Sequence, residues 1–412
     1  MSSVKRLKYG ANALLSKMTR KRILAVVMLV ATIIMAYGII NLPPPRVEDK
    51  NLNAELKAYN TITVTVKRAS GSTETYVKKG DPWLRNFVAL IANAFLGRAY
   101  STPAAIYRTD GSTFTIPEWE YVYSGGNPYT DKNPYLKIGI GSSNTEVTFF
   151  DYGLGNLIAT ADVTSTNAVV SDNGTNVNMQ FTASFSFSSS YTIREVGLFW
   201  YGYAFGSTTQ FNVLLARDVI SPISVGYGDA MSVTYSVSIP YSTPPIVKNF
   251  VALICNYIFG LKYYGKAISY VTTDGTSTTV MDIGHDSSTG VDNIKEKACI
   301  HIGQGDPIYR KDLSNIYSYV ASSQLGLYVG IRYNSTHAWY IFVPDVAVTV
   351  AGGAVIREVG FIIDSTDIDG TTGNSAKKVL IMYFPLQNPI NVPAGSGIKF
   401  NFALYLPLAP VS

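Results

Sequence analysis

Histidine, cysteine, tryptophan and charge are all scarce in this chain, and each shortage excludes something. Three of the 412 residues are His, at 285, 301 and 337, and none stands near another. A histidine metal site needs two or more at short spacing, so that chemistry has no basis here. No G-x-S-x-G elbow and no P-loop occurs; "IGIGSSN" at 138–144 imitates a phosphate loop but lacks the helix and βαβ context. Catalysis needs positioned acids, bases or nucleophiles. No such set is visible, so the chain reads as a non-enzyme with no catalytic residue and no cofactor. The four Trp (Trp83, Trp119, Trp200 and Trp339) are too dispersed to line a sugar groove by themselves.

Charged residues make up only 15% of the chain, low against roughly 25% for an ordinary soluble domain. Twenty-nine Tyr, with abundant Ser, Thr and Gly, stand where ions would otherwise be. The net charge of +5 belongs to one end. Residues 1–42 hold seven Lys/Arg (Lys5, Arg6, Lys8, Lys17, Arg20, Lys21, Arg22) and no acid; without them 26 basic face 28 acidic residues. A nucleic-acid footprint over the remainder is therefore not expected.

After Arg22 comes "ILAVVMLVATIIMAYGII", eighteen uncharged residues from Ile23 to Ile40. As a helix these span about 27 Å, enough to cross a bilayer core. Residues 1–22 then read as a basic cytoplasmic segment and 23–42 as a transmembrane anchor, with everything beyond exported. The rival is a cleaved signal peptide with Ala36-Tyr37-Gly38 at its cleavage site. Residues 43–60, opening with "PPPR", read as a linker. Export makes three modifications available: a Cys255–Cys299 disulfide, and glycosylation at Asn173 and Asn334. The alternative for the cysteines is one buried helix thiol and one strand thiol.

What the chain does contain is a duplication. "NFVALI" stands at 86–91 and again at 249–254. In order follow "TDGST" at 109 and "TDGTS" at 273, "KIGIG" at 137 and "HIGQG" at 301, then "IREVG" at 193 and 356. "SPISVGYGDAMSVTYSVSIP" at 221–240 parallels "NPINVPAGSGIKFNFALYLP" at 388–407, so the offset drifts only from 163 to 167. Each copy predicts a helix: Asp81 as cap, Pro82 in the first turn, Gly97 as stop, and Gly260 ending the second. Leu84, Phe87, Val88, Ile91 and Phe95 fall on one face, matched by Val247, Phe250, Val251, Ile254 and Ile258. Beyond the helix the period is two, as in Val177, Met179, Phe181, Ala183, Phe185 and Phe187, or Phe400, Phe402, Leu404 and Leu406. Alternation predicts antiparallel sheets with one wet face. The expected fold is mainly β: two tandem antiparallel β-sandwich modules, 61–243 and 244–412, each with one packed helix, divided at Pro244-Pro245.

Ahead of the first helix stands an extra hairpin, "TITVTV" at 61–66 and "TETYV" at 73–77. The second module has no counterpart, which predicts an open edge there and a hairpin free either to complete its own sheet or to reach a neighbouring copy.

Two dipeptides are the best polar candidates: Arg194-Glu195 and Arg357-Glu358. Neighbours on a strand point to opposite faces, so neither is an acid–base couple. Presence in both copies points to structural ion pairs bracing strand to strand. Asp364, Asp367 and Asp369 in "DSTDIDGTTGN" are the weak metal candidates; the spacing fails an EF-hand, and a solvated hairpin loop is the reading adopted.

The run "IGIGSSNTEVTFFDYGLGNLIA", then "REVGLF", "LLARDVISP" and "GDAMSVTYSVSI", resembles modules of structural and tail-fibre-like proteins of tailed phages and thermophile viruses. The second copy keeps Ile302-Gly303, Gly305, Glu358-Val359-Gly360 and Pro389 but lacks the Leu-Ala-Arg element. The resemblance implies a virion structural protein. The expected anchor departs from that family and points to a virion membrane protein or an archaeal surface-filament subunit. Its partners would then be copies of itself, a membrane through residues 23–42, and no nucleic acid. The alternatives are an adhesin for host surface glycans and, last, a secreted hydrolase.

Overall fold

A computed structural model describes residues 48–93, 104–114, 117–118, 135–204, 209–242, 244–278, 297–310, 312–324, 330–334, 338–365 and 377–406. The first half runs β1 (Glu48–Glu55), β2 (Tyr59–Lys67), β3 (Thr73–Lys79), helix α1 (Arg85–Ile91), then the short β4 (Ile106–Tyr107), β5 (Thr113–Phe114) and β6 (Pro117–Glu118). It continues with β7 (Tyr135–Gly141), β8 (Leu157–Asp162), β9 (Ala168–Asp172), β10 (Asn176–Ser186), β11 (Tyr191–Ala204), β12 (Gln210–Val225) and β13 (Ala230–Pro240). The second half has helix α2 (Lys248–Leu253), β14 (Tyr270–Val271), β15 (Ser277–Thr278), β16 (Lys297–Gly303), β17 (Tyr319–Gln324) and β18 (Gly330–Asn334). It closes with β19 (Ala338–Val350), β20 (Ala354–Ser365), β21 (Lys377–Val392) and β22 (Ser396–Tyr405). The protein is mainly β, as the period-two alternation predicts. The described part holds no helix long and apolar enough to cross a membrane, and residues 23–42 lie outside it.

Each half carries two large sheets whose orders match. β12-β11-β7-β8 in the first half corresponds to β21-β20-β16-β17 in the second, so both "IREVG" strands hold the same place. β13-β10-β9 likewise corresponds to β22-β19-β18. The alternating residues of β10 and β13 are buried on one side only, from Val177 to Phe185 and from Met231 to Ile239. One hydrophobic core takes residues from both halves. Phe259, six residues beyond the end of α2, packs on Trp83, Phe87 and Phe181 of the first half at 5.6, 5.7 and 5.9 Å. Lys248 Nζ meets Asp172 Oδ2 across the halves at 2.6 Å. Pro244-Pro245 therefore divides two copies of a topology, not two separate cores.

Three expectations are decided: two change, and of the two alternatives for the hairpin the completion of its own sheet is the one found. First, the stretch read as a linker contains β1, and the edge expected to be open is covered. β1 pairs with β22 in parallel from Glu48↔Ile398 to Glu55↔Tyr405. Leu52 and Leu56 are buried there, each such leucine contributing about 1.5–3 kcal/mol. Second, the hairpin β2–β3 pairs with β13 of its own sheet, antiparallel from Lys67↔Ala230 to Tyr59↔Ser238, rather than being held out for a neighbour. Third, Asp81 is not a helix cap. α1 starts at Arg85 after an extended Leu84 with no side-chain cap. Asp81 instead pairs with Lys78 at 2.6 Å. The helices are also buried all round, from Asn86 to Ala92 and from Asn249 to Phe259, beyond the single apolar face read from the spacing. α2 runs on into a π-helical turn, Ile254–Ile258, and Gly260, at φ +68°, stops it as predicted, in a conformation that favours glycine; Gly97 and Phe95 lie outside the described residues.

The strand match also moves by two. Gly141 lies opposite Glu195, and Gly303 opposite Glu358, so "IGIG" at 138–141 corresponds to "IHIG" at 300–303 and not to "HIGQG". A two-residue slip keeps every side chain on its face, which is why the letters alone do not reveal it.

Candidate functional site

In each half a single fully buried glutamate collects the polar chemistry. The ladder breaks at Arg194 and at Arg357, with the extra residues on the partner strands, 220–222 of β12 and 386–389 of β21. A bulge re-aims the residues beside it. Glu195 and Glu358, both fully buried, then face the loops after β7 and β16. Glu195 Oε1 accepts the backbone N–H groups of Ser143 (3.2 Å) and Asn156 (2.8 Å), and Oε2 accepts that of Gly155 (3.1 Å). Arg217 Nε completes the set at 2.8 Å. Glu358 repeats the design: Gly305 (3.3 Å) and Ser318 (2.9 Å) donate to Oε1, and Tyr317 (3.1 Å) to Oε2. Its fourth donor is the Tyr383 hydroxyl, at 2.9 Å. A Cβ at Gly141 or Gly303 would occupy the space of the carboxylate, which is what those glycines are for.

Arg217 and Tyr383 hold the same position, opposite Gly197 and Gly360. Arg217 comes from the Leu-Ala-Arg element that the second half lacks, and a tyrosine replaces it. Glu195 makes its ion pair with Arg217 on the next strand, not with Arg194; Glu358, among the described residues, meets no cation. Arg357 pairs with Asp306 at the surface, 2.9 Å away. Burial opposes the charge on Arg217, but hydrogen bonds to Asp151 and Glu195 outweigh it and raise its pKa. Burial, with the Glu358 charge beside it, pushes the Tyr383 hydroxyl up, so it remains a donor.

The next residue along is exchanged too. Asp218, opposite Val196, is fully buried and accepts the Asp81 backbone N–H at 2.5 Å and the Tyr235 hydroxyl at 2.8 Å. Phe384 takes its place opposite Val359. Phe402 takes that of Tyr235, and the two rings meet edge-on at 6.2 Å. A hydrogen-bonded pair in one copy has become an aromatic pair in the other. Burial lifts the Asp218 carboxyl to about 7, the hydrogen bonds and Lys78 reversing only part of that. The unfolded chain gives up this proton near pH 4, about its ordinary value, while the native chain keeps it to about pH 7. Native protein binds more protons between those limits, so this group's contribution to stability falls as pH rises through the window. Asp218→Asn removes that slope. Thermal unfolding from about pH 4 to 8 should show wild type gaining on the variant toward acid; parallel curves would contradict the assignment.

The asparagines in "NFVALI-x-N" were missed by a reading that followed only apolar letters. Asn86 donates to Tyr107 O (2.9 Å) and Leu214 O (3.3 Å) and accepts Tyr107 N (2.9 Å). Asn249 donates to Val271 O (2.8 Å) and Leu380 O (3.1 Å) and accepts Val271 N (2.9 Å). Seven residues on, Asn93 brackets Ala104 and Asn256 brackets Ile268 in the same way. Two asparagines at i and i+7 inside an apolar run, repeated in both copies, are the signal that could have found them.

The remaining candidates sit apart from these clusters. Cys255 is a fully buried thiol, raised well above its usual range by burial, and Cys299 lies on β16; the two are not joined, so the disulfide is not formed. Asn173 is exposed in the β9–β10 turn, its Oδ1 accepting Thr175 N at 3.0 Å and Asn176 N at 2.8 Å. Asn334 ends β18. Asp364 lies in β20, while Asp367 and Asp369 fall outside the described residues, among which no group of three or more acids, His or Cys could hold a metal. Trp83 and Trp200 are buried core residues.

What the glutamates hold is exposed apolar surface. The loop fastened by Glu195 carries Phe150 and Tyr152, 59% and 46% exposed; that fastened by Glu358 carries Ile308 and Tyr317, 60% and 45% exposed. Tyr152 stacks on Tyr107 at 6.4 Å, and Phe150 reaches Tyr333 of the second half at 5.6 Å.

No protein-family model matches the chain, and no curated protein is similar to it in sequence. Among solved structures, a 2'-deoxycytidine 5'-triphosphate deaminase from Agrobacterium tumefaciens aligns over 79% of this chain and 98% of its own, at 9% identity and a TM-score of 0.10. A score that low carries no argument about fold or function.

Proposed function

We propose that this chain is an exported structural subunit of a virion or cell-surface appendage, anchored through residues 23–42, that assembles with itself through tandem β-sandwich modules. One observation carries the reading. In both copies a fully buried glutamate has all four donors it can take and no access to solvent, and its work is to hold an apolar loop at the surface. Loops fixed on a rigid scaffold are binding surfaces. Exposed apolar groups kept by a protein otherwise sparing with charge fit contact with another copy. The same loops favour a second reading, an adhesin for host glycans or proteins.

Negative-stain microscopy and light scattering of the full chain test the first reading. Filaments or particles are expected; a monodisperse monomer at high concentration would overturn it. Phe150→Ser combined with Tyr152→Ser should reduce the assembled fraction at least tenfold with an unchanged melting temperature. Undiminished assembly by that variant would remove the loop from the interface.

A further inference from the structure

The second half cannot complete its own sheet. In the first half the place beside the last strand, β13, is filled by β2, which leads through β3 into the helix. In the second half the chain passes from β13 at Pro240 to α2 at Lys248 in seven residues, too few to supply such a strand. The vacancy beside β22 is filled by β1, about 350 residues earlier in sequence. It does so in parallel, whereas every other strand pairing among the described residues is antiparallel. Leu52, Ala54 and Leu56 enter the core from this borrowed strand.

We infer that β1 is an exchangeable strand, and that the slot beside β22 takes β1 from a second copy of this chain. Only residues 56–58 separate β1 from β2, and the Trp83 indole N–H holds Ala58 O at 2.7 Å. β1 therefore cannot swing away from the first half. In an exchanged pair, the first half of one copy sits against the second half of the next, as it does within one chain, and residues 241–247 are the connection that opens. Every contact outside residues 241–247 is the same in both forms, so the balance depends on that connection, which the Tyr309 hydroxyl holds at Tyr241 O and Ile246 O, and on the local concentration of copies. Where the donor and the acceptor slot of one copy engage different neighbours, the contact is head-to-tail and extends into a row. This inference rests on the reading of the chain as a self-assembling subunit and names the contact.

Asn51 and Asn401 test it. They lie directly opposite one another on the surface, with Asn401 Nδ2 donating to Asn51 Oδ1 at 3.2 Å. Full-length Asn51→Cys and Asn401→Cys chains, differently tagged, are co-expressed, oxidised, and run on a non-reducing gel beside wild type and the N51C/N401C double variant. The expected result is a heterodimer joined through positions 51 and 401, confirmed by peptide mapping, and a ladder from the double variant. If the double variant gives only a cyclised monomer and the mixture no heterodimer, exchange is wrong. If no 51–401 link forms even within one chain, the β1–β22 pairing itself is wrong and the inference goes with it. Microscopy of wild type separates this from the broader reading. Assemblies whose 51–401 links stay within single chains leave self-assembly standing and remove β1 from the contact; linked chains without extended assemblies do the reverse.

Discussion

Glu195→Ala lowers the stability of the folded chain by about 3–5 kcal/mol, the loss expected when one member of a buried pair is removed and the other stays charged. The substitution strands Arg217, which is 3% exposed, and takes the acceptor from three backbone N–H groups at Ser143, Gly155 and Asn156. Part of the Arg217 charge is still met by Asp151 at 2.7 Å, which keeps the loss from running higher. Glu358→Ala strands no cation, only the Tyr383 hydroxyl and three N–H groups, and costs less, about 1–3 kcal/mol. Glu195→Gln and Glu358→Gln keep the shape but turn an N–H₂ toward other donors, so both also lower stability. Urea unfolding of the four variants gives the order. A Glu195→Ala protein as stable as wild type would mean that the carboxylate fastens nothing.

Asn249→Ala is the second large loss, about 3 kcal/mol, because one side chain satisfies three backbone groups, two partly buried at Val271 and one buried at Leu380. Asn249→Asp makes the sharper test. A carboxylate of the same shape still accepts from Val271 N but cannot donate to the two carbonyls, so Asp should be at least as damaging as Ala. For a surface asparagine both changes would be nearly neutral. Asn86→Asp in the first half should behave alike, since Asn86 meets Tyr107 and Leu214 in the same pattern. An Asn249→Asp chain that unfolds at the wild-type urea concentration would refute the bracket.

The features legible in the sequence were those with a period. Alternation over Val177–Phe187 and Phe400–Leu406 marks one-sided strands because a pleat turns each neighbour over. The duplication is plain because both copies kept the letters around buried glutamates and asparagines, where a substitution leaves backbone groups unpaired. The rest was hidden for physical reasons. β1 pairs with a strand about 350 residues away, and no local pattern reports parallel pairing at that separation. Asp81 looks like a cap because Asp-Pro before an apolar run usually is one, yet its charge goes to Lys78 and its N–H to Asp218. The exchange of Arg217 for Tyr383 preserves the fourth donor while erasing the motif that would have aligned them. Arg194-Glu195 drew attention as a pair, although only the glutamate enters the cluster.

The central claim is that a buried carboxylate in each half fastens a loop to the sheets. Amide hydrogen exchange on the wild-type chain measures that directly. Ser143, Gly155 and Asn156 in one half, and Gly305, Tyr317 and Ser318 in the other, should be protected as strongly as the flanking strands and open only with them. Exchange of these six amides at the rate of exposed loops, while β11 and β20 stay protected, would contradict the account.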